Sequence, residues 1–132
     1  MIIVRNNVIP FSGYKAITIW PFIFVRKNAW YSNDTDRHER THGRQQLEML
    51  LVGMVLAAVL AAVGCGWWSL LALPMFYAWY GAEYLVRLAI TRSPSRAYRT
   101  VSFEQEAYTH ERDQDYLQHR RPYAWLKYVF RP

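Results

Sequence analysis

The strongest constraint on this chain is a stretch that carries no charge. Residues 49–82 are 34 consecutive positions without a Lys, Arg, Asp or Glu, bounded by Glu48 and Glu83. A helix needs about 20 apolar residues to cross a bilayer, so the run is long for one crossing and short for two. Gly64-Cys65-Gly66, followed by Trp67-Trp68, interrupts its middle and predicts a helical hairpin. The first arm then ends at Val63 and the second begins near Trp67. Each arm has roughly 15 uncharged residues, or about 23 Å at the helical rise. The second arm lengthens through Tyr84, Leu85 and Val86 if Glu83 faces protein rather than lipid.

Flanking charge supports a membrane location. Arg37, Arg40 and Arg44 precede the run and Arg87, Arg92, Arg96 and Arg99 follow it, with no basic residue between. The positive-inside rule then puts both termini in the cytoplasm and the Gly-Cys-Gly turn on the other side. No cleavable leader is read in residues 1–4, because Arg5 interrupts the apolar start. The competing reading is a hairpin buried in a soluble α-protein. The rest of this 132-residue chain is small for wrapping two arms that are apolar on all faces. A single cysteine, Cys65, excludes an internal disulfide framework and any cysteine-cluster metal site.

Around the hairpin the pattern predicts a mostly α fold with N-terminal β-strands, in a single domain. Residues 1–31 read as the β element, with strands over 2–4 and 16–25; Pro21 confines the second strand to a sheet edge or a bulge. An edge strand beside a peptidase site is a place for a peptide to add, although a purely structural strand explains it as well. Asn33-Asp34-Thr35-Asp36 supplies cap residues, and Asp36 with Glu39 has capping-box spacing, so helix one covers 35–63 including the first arm. The second arm covers 67–90, with Pro74 as a kink, and residues 91–100 read as a loop. Ser102 with Gln105 opens a third helix over 102–121, and residues 122–132 form a basic aromatic tail suited to a lipid interface. The net charge of +6 accompanies no nucleic-acid motif, so no nucleic-acid partner is expected.

Residues 38–42, His38-Glu39-Arg40-Thr41-His42, form an HExxH motif at the start of helix one. Positions four apart stack on one helical face, so both imidazoles reach one ion, with zinc the expected metal. Glu39 projects about 100° away, in a direction suited to a general base. Zinc needs a third protein ligand, for which His110, His119 and seven carboxylates are candidates. Glu48 is on the same helix and cannot fold back. Glu83 falls about 10 Å below the histidines along the axis, fit to support a ligand or to pair with Gln45 or Arg87. Gln45 shares the histidine face and can hold one of the imidazoles. Glu104 and Glu106 open the third helix.

The stretch Phe103-Glu104-Gln105-Glu106-Ala107-Tyr108 resembles the downstream ExxA segment of gluzincin metallopeptidases. The resemblance is to the integral-membrane branch with the HtpX-like heat-shock proteases and the CAAX prenyl proteases, where a hairpin separates HExxH from the ligand helix. Residues 38–46, 76–87 and 103–108 are also similar to small membrane proteins of Bacteroidetes-type bacteria. The resemblance implies His38, His42 and Glu104 as zinc ligands, Glu39 as general base, and a bacterial inner-membrane location with the site on the cytoplasmic side. It departs at Tyr108, which stands where the pattern often has Asp. Tyr108 or Glu106 then takes the supporting role, and Tyr108, one turn past Glu104, can donate to an oxyanion. The implied function is zinc-dependent peptide hydrolysis at the membrane, with a polypeptide substrate or a partner membrane protein. The alternative is a non-catalytic membrane adaptor or assembly protein with a degenerate or structural metal site.

Overall fold

The computed structural model describes residues 1–131. Three strands, β1 (Ile2–Asn6), β2 (Ala16–Ile19) and β3 (Phe22–Arg26), form a sheet in the order β1-β3-β2. β3 pairs parallel to β1 (Ile2 opposite Phe22) and antiparallel to β2 (Ile17 opposite Phe24). The strand expected over 16–25 is therefore a hairpin turned at Trp20-Pro21. Pro21 has no N–H for a ladder, so the chain reverses there and leaves β2 at the edge.

Helix α1 (Asn33–Ala62) carries HExxH and the first apolar arm in one continuous element. Its cap is Ser32, whose Oγ accepts from the Thr35 N–H at 3.2 Å, rather than the Asp36–Glu39 box. Asp36 instead accepts from Tyr31 at 2.9 Å and Arg40 at 2.6 Å, and Glu39 turns to β2. After the Gly64-Cys65-Gly66 turn the chain descends as a 3-10 helix (Gly66–Ala72) and becomes α2 (Met75–Thr91) only after Pro74. Pro74 thus separates two elements instead of kinking one arm. The descent lies tight on α1: a Cβ on Gly53 would stand 2.3 Å from the Ala72 carbonyl oxygen, which only glycine avoids.

Two further expectations are corrected. Residues expected as a loop contain α3 (Pro94–Thr100), with Pro94 in the first turn, where its missing N–H costs nothing. The third helix is split into α4 (Ser102–His110) and α5 (Tyr116–His119). Between them the Asp113 carboxylate accepts from the Asp115 N–H at 3.1 Å, and His110 stacks on Tyr116 at 3.8 Å. Ser102 and Gln105 form no capping box. Glu83 of α2 accepts from the Ser102 N–H at 2.9 Å and its hydroxyl at 2.6 Å, so the cap of α4 comes from another helix.

Part of the tail folds inward, while Leu126 and Phe130 stay exposed at 50% and 95%. A 3-10 turn (Ala124–Tyr128) buries Trp125 and Tyr128, and Trp125 joins Met49, Phe76, Val101 and Phe103 in the core. Phe103 stacks on Phe76 at 4.5 Å and meets Trp125 at 4.6 Å, which fixes α4 against both α2 and the C-terminal segment. The first residues of α4 therefore face the HExxH turn.

Candidate metal centre

His38 and His42 project from one face of α1, and Glu104 approaches from the first turn of α4. All three are buried, at 7%, 8% and 3% exposure. The imidazole Nε2 atoms lie 3.1 Å apart. Glu104 Oε2 is 3.4 Å from His38 Nε2, and its Oε1 is 3.4 Å from His42 Nε2. Among the described residues, these three form the group whose ligand atoms converge closely enough to hold one metal ion.

The surrounding hydrogen bonds decide which ring nitrogens carry lone pairs. Gln45, fully buried, donates through Nε2 to the Phe103 carbonyl at 3.0 Å and to Glu106 at 3.0 Å. A carbonyl only accepts, so Gln45 Oε1 is the atom 2.8 Å from His42 Nδ1, and that nitrogen must carry the proton. His38 Nδ1 lies 3.2 Å from the Glu111 carboxylate, which also accepts. With both rings neutral, both Nε2 atoms therefore present lone pairs to each other and to a carboxylate. Three acceptors facing inward then repel, and a cation, either a metal ion or a proton on one Nε2, relieves that repulsion. Glu104 Oε2 is buried with no hydrogen-bond partner at all.

Tyr80 of α2 donates to Glu104 Oε1 at 2.9 Å. Without a metal the site takes up a proton instead: burial alone would raise the Glu104 carboxyl, but the charge of a protonated His42 and the nearness of both imidazoles outweigh it and hold the group far below the usual carboxylate range. Behind Gln45, Glu106 accepts from Tyr116 at 2.6 Å and from Arg120 Nε at 2.5 Å. Arg120 also binds Glu48, closing a buried network from His42 to the base of the apolar arm. Burial of Tyr116 and its bond to Glu106 push its hydroxyl above the normal range.

Glu39, 7% exposed, accepts on Oε2 from the Thr18 hydroxyl of β2 at 2.7 Å. On the same strand the Gln46 side chain donates to the Thr18 carbonyl at 2.7 Å and accepts from the Trp20 N–H at 2.7 Å. One side-chain amide thus fills the slot on β2 that a peptide strand would use, so the edge expected to receive a peptide is closed here.

The remaining expected residues fall into place around the three ligands. Glu106 is paired to Arg120, and Glu83 binds Ser102, Trp79 and Arg87 (3.3 Å to the last), so neither joins the imidazoles. Glu48 is paired with Arg120, His110 lies 3.0 Å from the Tyr128 hydroxyl, and His119 lies on its own helix 3.1 Å from Asp115 O. The Tyr108 ring packs edge-on to His38 at 4.6 Å, with the Arg99 guanidinium 5.5 Å from its centre. Sequence reasoning missed Tyr80, Thr18 and Arg120 as neighbours of the site, while Glu111, one of the seven candidate carboxylates, sits behind His38 rather than beside the ligand atoms. Comparison with family models, with curated proteins and with solved structures finds no match for this chain.

Proposed function

We propose that this protein is a membrane-associated, zinc-dependent hydrolase of peptide bonds, with its site on the cytoplasmic side of a bacterial inner membrane. The observation that carries the reading is the convergence of two lone-pair imidazole nitrogens and one unpartnered carboxylate oxygen. The 3.1 Å between the two nitrogens and the 3.4 Å from the unpartnered oxygen to His38 are close to the edge of a tetrahedron around zinc, about 3.3 Å for ligands at about 2.05 Å, while His42 lies 3.4 Å from the other oxygen of the same carboxylate. Three protein ligands leave a fourth position, the pattern of catalytic rather than structural zinc.

Zinc bound there supplies a Lewis acid that polarises a carbonyl. The residues of this chain do the rest. Gln45 and Glu111 hold the imidazoles in the liganding tautomer. Glu39 accepts a proton from water on a carboxylate oxygen and returns it to the leaving amine nitrogen, while the Thr18 hydroxyl fixes its Oε2. One helix, Asn33–Ala62, is long and apolar enough to cross a membrane.

A second reading is favoured by the burial of all three ligands: a closed, structural metal site in a non-catalytic adaptor. The two separate on Glu39→Gln. For the hydrolase, purified protein holds about one zinc per chain and cleaves an unfolded polypeptide, and the variant keeps the zinc while losing about a hundred- to ten-thousandfold in rate. Zinc without cleavage in the wild type supports the adaptor.

A further inference from the structure

The outer face of α2 carries no charge over its whole length. Ala78, Ala82, Leu85, Val86, Ala89 and Ile90 are all exposed on it, Leu85 at 64%, Val86 at 58% and Ile90 at 74%. The helix does contain Glu83 and Arg87, but both turn inward. Glu83 takes Ser102 and Trp79, and Arg87 donates to Glu83 and to the backbone carbonyls of Tyr128, Val129 and Arg131. Their side chains are 10% and 11% exposed. In water, charged side chains would point outward and Leu, Val and Ile inward; here the arrangement is reversed.

We infer that the outer face of α2, down to Ile90, is in contact with bilayer hydrocarbon, so that the lipid-facing surface runs well past the uncharged stretch. The ends of this surface carry the marks of a membrane slab. At one end Trp67 and Trp68 are 87% and 76% exposed. At the other, Arg92, Arg96 and Arg99 are exposed just beyond Ile90, where they meet anionic headgroups. The 3-10 descent and α2 together extend about 40 Å at their respective rises, enough for the roughly 30 Å of hydrocarbon with room for tilt. A second copy packed in parallel on this face would bring the two arginine groups together, which disfavours it as the occupant. Tyr80, midway along α2, donates to Glu104. α2 thus stands between the Glu104 side of the metal-ligand cluster and this outer face.

This rests on the membrane part of the proposed function and is tested without any activity. In a Cys65→Ser background, single cysteines are placed at Val86 and Ile90, with Ser95 beyond the arginines as the aqueous control and Leu71 on the hairpin as the lipid control. The full chain is reconstituted in vesicles of phosphatidylcholine and phosphatidylglycerol. Val86→Cys and Ile90→Cys should react with a charged maleimide at least tenfold more slowly than Ser95→Cys, and fluorophores there should be quenched by nitroxide-bearing lipid. Labelling as fast as Ser95→Cys, with Leu71→Cys protected, overturns the inference while leaving the membrane location intact. Protection without lipid quenching, together with a disulfide dimer of the Ile90→Cys variant under an added oxidant, assigns the face to a second copy and also overturns it. Protein that fails to float with vesicles removes both readings. Circular dichroism of each variant confirms that the fold survives these exposed substitutions.

Discussion

The two halves of α1 obey opposite rules although they form one unbroken helix. In the lower half, His38, Glu39, Thr41, His42, Gln45 and Gln46 are buried. In the upper half, Leu51, Val55, Val59 and Val63 are 54–71% exposed. The polar half is held by named partners on β2, on α4 and at Glu111, so its buried side chains meet polar groups within the protein. The apolar half has the Gly66–Ala72 descent and the start of α2 beside it, and its remaining surface is exposed. Burial here follows what each half has been given to pair with. Hydrophobicity alone does not order it.

The comparison is broken most severely at the ligands. His42→Ala should take bound zinc from about one per chain to none by elemental analysis, with the helix content unchanged. Next is Arg120→Met, which leaves Glu106 charged and unpaired in the interior; unfolding in detergent should show a loss of about 3–5 kcal/mol. Pairing it with Glu106→Gln should recover part of that loss, since the stranded charge is then gone. Gly53→Ala acts only on the upper half. Its Cβ meets the Ala72 carbonyl, and the expected cost is about 1–3 kcal/mol of stability with zinc content unaltered. Smallest is Val55→Ala on the exposed apolar side, 66% exposed, which should shift stability by less than about 0.5 kcal/mol in detergent. A large destabilisation there would mean that this surface packs against protein.

Much of the helical frame was readable because its signals are local. The Gly64-Cys65-Gly66 break and the continuity of HExxH with the apolar arm follow from spacing along one or two turns, and so does Arg87 as one of the two partners read for Glu83. Glu104 was reached through a resemblance, and the structure brings its carboxylate to the imidazoles. Errors came where distant partners overrode local propensity. Ser102 gave its capping groups to Glu83 rather than to Gln105. Asp113 turned the chain so that Arg120 could meet Glu106. Trp125 found the Phe103 core in preference to an interface. Thr18 and Tyr80 were invisible as site neighbours because nothing in their own surroundings distinguishes a threonine or tyrosine that will face a metal-ligand cluster.

By itself the sequence determined where charge is absent, where the helix begins and turns, and that two histidines share a helical face, because each depends on residues a few positions apart. The tertiary structure alone decided which carboxylate meets them, which amide sets their tautomer, and that Glu83 and Arg87 turn away from the outer face of α2. Those choices depend on the approach of segments tens of residues apart. That approach is set by the packing of Phe103, Phe76 and Trp125 and by the bare backbone contact at Gly53, which no local pattern encodes.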